Sequence, residues 1–300
     1  MKKQKLPPMA ADGQPTAEAS ELKTITDFIL TQFKIEKVIC FGSIINNVQN
    51  SSCFKDAASE PEAKLQNSYY LLIIPEAAEM LADIAIQMRL EEDLKILANV
   101  TIIVHRMEEI NAALENGSSF FTTIYKKGTM LYDQEKEAFV VPAPGAALNK
   151  RIIKREAFWH QWFTLSEGFL KGAVFFKNDH HHNLSVYMLH QALQHCYSGM
   201  LRVLTGYRTN ANGLRRLMKL IDNILPDSSF TNVKKTPEDA RLTGLLLKGF
   251  GDARYSDKFE ITEQELSLMT DRIDEILKTA NIACLQHIKK IKEGKTPYIA

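Results

Sequence analysis

The first half of the chain alternates between two patterns of apolar residues. One pattern repeats every three or four positions, which predicts a helix with one buried face. The other is a short continuous apolar run, which is typical of a strand buried on both sides. The predicted elements are a helix over 22–33, a strand over 37–41, a strand over 69–74, a helix over 80–97, a strand over 100–104, a short helix over 108–115 and a closing element over 120–132. This order predicts a small α/β domain with a sheet of three or more strands.

The second half of the chain shows helical spacing only. Residues 183–204 are apolar on most sides, which predicts the central helix of a bundle. Thr236 precedes a proline and two acidic residues, as at a helix start, and Thr262 begins a capping box. The predicted helices cover 159–173, 183–204, 214–224, a segment that begins at Thr236 and 262–288. Five helices of this kind predict an antiparallel bundle.

Length and composition place the two patterns in separate domains. The chain has 300 residues, of which 45% are hydrophobic and 24% are charged. This is enough apolar material for two cores, and it excludes global disorder. We expect a flexible tail over 1–16, an α/β domain over 17–140 and a helical bundle over 150–292, with a hinge between Pro142 and Gly145.

The compartment follows from the tail and the cysteines. No run of 18 apolar residues occurs, and prolines break the segment after the basic start, so neither a membrane span nor a secretory signal is predicted. The four cysteines form no Cys-x-x-Cys pair. A reduced cytoplasm is therefore expected, with Cys40, Cys196 and Cys284 as core thiols and with no metal site.

The net charge of +1 conceals an uneven distribution. Residues 1–150 carry 15 basic and 20 acidic side chains, whereas residues 151–300 carry 22 and 16. Seven of the eight histidines also lie in the second half. The positive charge that could hold a phosphate group is therefore concentrated in the helical half.

The run from Ile39 to Ser43 resembles the Phe-Gly-Ser signature of minimal nucleotidyltransferases, which belong to the polymerase-β superfamily. In that family a Gly-Ser turn follows the first strand and holds the triphosphate through its backbone amides, so the resemblance implies that Gly42 and Ser43 bind a nucleotide. The later strand order and the segment 125–133 are also similar to the family. The alternative for Gly42 and Ser43 is a plain strand-to-helix turn.

The metal carboxylates of that family are replaced here. The family has an Asp-x-Asp at the start of the second strand and a third carboxylate on a later strand, and together they hold two metal ions. Ser68 and Tyr70 stand at the first two positions, and the later strand offers Thr101 and Ile103. Because Mg²⁺ requires anionic oxygen ligands, we expect neither magnesium nor nucleotidyl transfer. The acidic residues of the polar stretch 46–67 are expected to be solvated.

The helical half resembles the HEPN family, whose members accompany nucleotidyltransferase domains in bacteria and archaea. The resemblance covers about residues 150–290. It is carried by Leu189-His190-Gln191-Ala192 in the central helix, by Gly206-Tyr207 after it, and by Asp252-Ala253-Arg254-Tyr255. It implies an all-α, up-and-down bundle in a protein of bacterial type, and it implies a homodimer formed through the helical domain. Phe158, Phe175 and Phe176 are expected to contribute exposed apolar surface to that dimer.

Polar residues on the central helix define the candidate site. They recur at helical spacing, and they are His190, Gln191, Gln194, His195, Ser198 and Arg202. Because buried polar groups need partners, we expect His190, Gln191 and His195 to line a cleft that Arg254 and Tyr255 also reach. Arginine suits a phosphate group and an aromatic ring suits the face of a base. The alternative is polar packing between helices or onto a second subunit.

The residues needed for catalysis are missing from this pattern. HEPN ribonucleases have a histidine four to six residues after the arginine, but none follows Arg254, and Asn212 stands where many relatives have a histidine. Without a general base, no catalytic residue is expected. We predict a non-catalytic nucleotide-binding or regulatory protein, a pseudoenzyme, with RNA as a further partner. Two alternatives stay open, namely an active nucleotidyltransferase or toxin–antitoxin-type ribonuclease with relocated residues, and a dimeric scaffold without a ligand.

Overall fold

A computed structural model describes residues 17–45, 49–52, 67–144, 148–209, 213–224 and 237–295. The contacts divide the chain into two compact units, Met1–Gly145 and Ala146–Ala300. The first unit combines helices with a sheet and the second is helical, so the predicted fold class is confirmed. The predictions made for the tail, for the acidic residues between 53 and 66 and for Asn212 lie outside the described residues.

The sheet of the first unit is organised around its first strand. Its strands are β1 Ile35–Ile45, β2 Gln49–Ser52, β3 Ser68–Pro75, β4 Asn99–Val104 and β5 Thr129–Asp133. β3 runs antiparallel along one edge of β1, while β5 and β2 share the other edge, β5 against residues 37–40 and β2 against residues 42–45. β4 adds to β3 in parallel. β1 is therefore hydrogen-bonded on both edges along most of its length.

Helices cover both faces of this sheet. They are α1 Ala17–Gln32, α2 Asp83–Asp93, α3 Met107–Glu115 and α4 Ser119–Lys127, with a single 3-10 turn at Leu94–Ile96. α1 and α2 pack in one core with Tyr69, Leu71 and Ile73 of β3. On the opposite face the ring of Phe41 lies 6.1 Å from that of Phe120 in α4 and 6.2 Å from that of Tyr70. This burial on both faces explains the continuous apolar run of β3.

β1 continues past the predicted Gly-Ser turn. Gly42 pairs with Tyr70 and Ser52, and Ser43 pairs with Tyr69 and Ser51, so both residues lie inside the sheet. The predicted strand-to-helix turn is therefore wrong, and the structure forms no phosphate-binding turn at this position. The strand β2, which keeps β1 extended, was not predicted because its sequence, Gln-Asn-Ser-Ser, is polar.

A buried ion cluster joins β1 to β5. Glu36 and Lys37 are only 1% and 2% exposed, and Lys37 Nζ lies 3.2 Å from Glu36 Oε1. Lys37 also donates to Asp133, while the backbone N–H of Glu137 donates to Glu36 Oε1 at 2.8 Å. Because an isolated charge is costly to bury, these groups depend on one another.

The second unit contains six helices among its described residues. They are α5 Leu148–Asn178, α6 His182–Thr205, α7 Leu214–Ile224, α8 Pro237–Lys248, α9 Asp252–Tyr255 and α10 Glu263–Lys292. The predicted capping box at Thr262 is present, and Gly206, with φ of 82°, ends α6 in the left-handed conformation that favours glycine. α5 begins 11 residues before its predicted start. The sequence analysis missed α9, because one helical turn is too short to show a period.

α6 occupies the centre of this unit and packs against both α5 and α10. Leu189, Cys196 and Met200 of α6 are fully buried. A side chain at Gly199 would approach Trp159 and Trp162 of α5 to within 3.2 Å, so the glycine permits close packing of the two helices. The predicted core thiols Cys40, Cys196 and Cys284 are buried and free. Burial raises the pKa of the Cys196 and Cys284 thiols, as expected for structural cysteines.

Replacing Lys37 by methionine tests the buried ion cluster. The K37M variant leaves Glu36 without its countercharge in a buried position, so we expect the first unit to lose about 3 kcal/mol of stability or more. The rate of hydrogen exchange in peptides from β1, followed as a function of denaturant concentration, measures this loss within the first unit. The matched control is K95M, because Lys95 and its partner Glu92 are 61% and 70% exposed and such a surface pair contributes less than about 1 kcal/mol. Equal effects of the two variants would contradict the prediction.

Candidate functional site

The short helix α9 brings Arg254 to the face of α6. The chain between α8 and α9 passes close to α6, since a Cβ atom at Gly249 would lie 3.0 Å from the carbonyl oxygen of Val186. α9 then begins at Asp252 and completes one turn. The approach depends on this glycine, and it sets the position from which Arg254 reaches back to α6.

Three aromatic rings surround the guanidinium group of Arg254. Its central carbon lies 4.9 Å from the ring centre of Tyr187 in α6, 4.2 Å from that of Phe250 and 4.7 Å from that of Tyr255. The Nε–H group donates to the carbonyl oxygen of Phe250. Such cation–π contacts hold an arginine side chain without neutralising its charge.

The site is open to solvent. Tyr255 is 78% exposed and Phe250 is 49% exposed. No carboxylate of the described residues lies within ion-pair distance of Arg254. The arginine therefore presents positive charge and N–H donors at an aromatic surface that a ligand can reach.

His190 borders this arginine from the buried side. It is 4% exposed, and its ring centre lies 5.6 Å from that of Phe250. Burial, and secondarily the charge of Arg254, lowers the pKa of His190 from 6.5 to about 4. Its Nδ1 atom is buried, and the described residues supply no hydrogen-bond partner for it. His190 is therefore a neutral imidazole at pH 7, and its unpaired Nδ1 atom lies inside the protein.

His195 lies elsewhere on α6. Its ring centre is 5.3 Å from that of Trp162 and 4.9 Å from that of Phe169, both in α5, and its Nδ1 atom is 2.8 Å from the carbonyl oxygen of Gln191. Five helical positions separate it from His190, which turns its side chain about 140° around the axis. The predicted cleft therefore brings His190, Arg254 and Tyr255 together without His195.

Gln191 and Arg202 of the predicted polar stripe contact groups within the bundle. Gln191 is 8% exposed, and it contributes the carbonyl oxygen that contacts His195. The guanidinium carbon of Arg202 lies 4.1 Å from the ring centre of Phe158 in α5. For His195 and Arg202 the geometry thus matches the alternative of polar packing between helices.

The candidate residues of the first unit are integrated into its sheet. The hydroxyl group of Ser43 donates to Glu18 Oε1 of α1 at 2.8 Å. Ser68, Tyr70 and Thr101, at the positions that correspond to metal carboxylates, are each 3% exposed. These side chains serve the packing of the sheet, and the strand at Ser43 forms no turn for an anion.

No group of three or more His, Cys, Asp or Glu residues in the described part of the chain is placed to hold a metal ion. The three consecutive histidines, 180–182, lie at the start of α6, where they line an open depression of about 430 Å³ together with Phe259 and Glu260. His180, with φ of 58°, lies in the turn between α5 and α6. This position agrees with a polar turn between helices.

Sequence reasoning missed two aromatic residues of the site. Tyr187 precedes His190 by three positions and therefore shares its face of α6, so helical spacing could have found it. Phe250 stands between Gly249 and Gly251, which is typical of a linker. Its role depends on the fold of that linker against α6, and no local signal indicates it.

Comparison with known proteins identifies the helical half. A family model described as HEPN domain matches residues 159–283. No curated protein matches the chain. The matched range contains Tyr187, His190, Phe250 and Arg254, so the cluster around Arg254 lies within a HEPN domain. In the described part of the chain, no helix is both long enough and apolar enough to span a bilayer.

The lowered pKa of His190 predicts a loss of stability in acid. In the unfolded chain His190 is protonated below about pH 6.5, whereas in the folded chain it is protonated only below about pH 4. Acidification between these two pH values therefore favours unfolding. Between pH 7 and about pH 4.5, the H190N variant, which lacks this imidazole, should lose about 2 kcal/mol less stability than the wild type. Urea denaturation at both pH values, for the wild type and the variant, measures this difference.

The exposed His180 provides the control for this measurement. The H180N variant also removes one imidazole, and asparagine tolerates a positive φ. We expect H180N to follow the pH dependence of the wild type. If both variants behave alike, acid destabilisation does not arise at His190.

Proposed function

We propose that the HEPN domain binds a phosphate-bearing ligand, either a nucleotide or the end of an RNA strand, through Arg254. The observation that carries this proposal is the guanidinium group held among Tyr187, Phe250 and Tyr255 at 4.2–4.9 Å, with no carboxylate partner among the described residues. An arginine that is held but not neutralised suits a ligand that supplies the negative charge.

The chemistry around Arg254 fits both parts of a nucleotide. The planar guanidinium group donates two parallel N–H groups to phosphate oxygens. The exposed ring of Tyr255 offers a face on which a base can stack.

Binding without catalysis is the function that these groups support best. A general base works most effectively when its pKa lies near the working pH, and the pKa of His190 is lowered to about 4. No histidine follows Arg254 at the spacing of active HEPN ribonucleases. We therefore propose a pseudoenzyme or regulatory role, in which the first unit is a degenerate nucleotidyltransferase-like domain without its metal carboxylates.

Self-association through the helical half remains part of this proposal. Phe175 of α5 is 63% exposed, whereas Phe158 and Phe176 are half-buried. Of the three phenylalanines, Phe175 is thus the exposed one. Phe175 alone does not specify a dimer, and the homodimer stays a prediction.

A thermal-shift panel with nucleoside mono-, di- and triphosphates and inorganic phosphate tests the binding proposal. A ligand at about 100 times its Kd stabilises the folded chain by about 2.7 kcal/mol, which corresponds to a rise in Tm of roughly 5 °C or more. We expect the R254A variant to abolish this rise. R254K should also weaken it strongly, because lysine keeps the charge but loses the two parallel donors.

The control for this panel is K258A, which removes an exposed cation four residues from Arg254. It should retain the ligand-induced rise in Tm. A flat panel at millimolar ligand for the wild type would overturn the binding proposal and would favour the scaffold without a ligand.

A ribonuclease with a relocated base is the second candidate function. The observation that favours it is the proximity of His190 to Arg254, which is close enough for the arginine charge to contribute to the lowered pKa of His190. α6 thus supplies a histidine that the segment after Arg254 lacks. Cleavage of RNA in EDTA, lost in both R254A and H190A but retained in K258A, would establish this activity. We expect no cleavage, and any cleavage with that pattern would replace the binding proposal.

A further inference from the structure

Three helix ends meet at one end of the helical unit. The guanidinium group of Arg202, near the end of α6, lies 4.1 Å from the ring centre of Phe158 in the early part of α5. Lys292, the last residue of α10, forms an ion pair with Glu156 of α5 at 2.6 Å. The start of α5 and the ends of α6 and α10 therefore share one surface region. We call the segments 148–158, 199–209 and 285–295 the basic end.

Positive charge dominates the basic end. Its three segments contain ten lysine and arginine residues and two glutamates. Both glutamates are already paired, Glu156 with Lys292 at 2.6 Å and Glu293 with Lys295 at 2.8 Å. With ten cations and two glutamates, the basic end has a formal charge of +8.

Charges from α5 and α10 both act on His287 of α10. Burial, together with the charges of Arg155 and Lys290, lowers the pKa of His287 to about 4. Burial and the charge of Arg208 also lower the pKa of Arg202. The charges of Arg155 in α5 and Lys290 in α10 thus both reach His287, and the charge of Arg208 reaches Arg202. Such crowding raises the local positive potential.

The cations on α5 occupy a continuous stripe. Lys150, Arg151, Lys154 and Arg155 follow one another at positions i, i+1, i+4 and i+5, which lie on one side of a helix. Lys150 and Lys154 are exposed, as are Lys289 and Lys290 of α10, so the stripe is accessible. The early part of α10 is opposite in character, since residues 263–275 contain five acidic residues and one arginine.

We propose that the basic end binds the phosphate backbone of a nucleic acid. Clustered lysine and arginine side chains on one surface match the regular negative charge of a polynucleotide. Lysine contacts of this kind position a backbone and carry no base information. Binding should therefore be independent of base sequence and strongly dependent on salt.

A polynucleotide fits the basic end better than an anionic membrane does. A helix that lies in a membrane interface presents a whole apolar face between its basic residues. Within the three segments, the large apolar side chains that are exposed are Ile153 and Leu285, at 65% and 51%. Two separate side chains on two helices do not form such a face.

This surface is distinct from the Arg254 site. Fifteen helical positions separate Tyr187 from Arg202 along α6, which corresponds to about 22 Å. The proposal goes beyond ligand binding at Arg254 and does not depend on it. A variant at either place therefore tests one surface without removing the other.

Fluorescence anisotropy with the full chain and short labelled oligo(U) and oligo(A) RNA, over a range of salt concentrations, tests this proposal. We expect the two oligonucleotides to bind with similar affinity. In the double variant K154A/K290A, the affinity should fall about tenfold at low salt, and the slope of log Kd against log salt should decrease by about 1 to 2. Both substituted lysines are exposed, so an unchanged circular dichroism spectrum and Tm are expected.

The control is K171A/K258A, which removes the same charge from exposed positions outside the basic end. It should bind RNA like the wild type. Equal weakening by K154A/K290A and K171A/K258A would overturn the proposal, because it would show only a net-charge effect. It would likewise be overturned if the wild type bound vesicles of phosphatidylserine and phosphatidylcholine but neither oligonucleotide at low salt.

Discussion

Burial of α6 is the constraint on which the helical unit depends. A helix enclosed by apolar neighbours must direct each polar side chain to a partner or to an opening, because an unsatisfied buried polar group is costly. α6 uses both solutions. His195 contacts the rings of Trp162 and Phe169, whereas His190 borders the opening at Arg254. The position of the candidate site therefore follows from how α6 distributes its polar groups.

The aromatic surroundings of Arg254 matter as much as its charge. Rings at 4.2–4.9 Å hold the guanidinium group in place and leave its charge for a ligand. In the first unit, Lys37 is handled in the opposite way, because Glu36 and Asp133 neutralise it inside the protein. Lys37 thus stabilises the fold of the first unit, whereas Arg254 has the surroundings of a group that binds a ligand. The near-zero net charge of the chain conceals this difference.

The long periodic elements were predictable because their signals are local. The helices over 214–224 and from Thr262, and the strands at β3 and β4, were found within one or two residues of their bounds, apart from the C-terminal extension of the last helix. The Gly42-Ser43 turn was wrong because a polar partner strand, β2, keeps β1 extended. α9 was missed because it is a single turn. In the site, Arg254, Tyr255 and His190 were identified from resemblance and spacing, but Phe250 was not.

The sequence by itself determined the two fold classes, the absence of carboxylates at Ser68 and Tyr70, and the concentration of basic residues in the second half. These properties depend on residue type and on spacing along one element, which are local. Only the tertiary structure decided that His190 rather than His195 lies beside Arg254. Only it brought the basic segments of α5, α6 and α10 to one end. Both outcomes depend on distances between residues far apart in the chain, which packing alone sets.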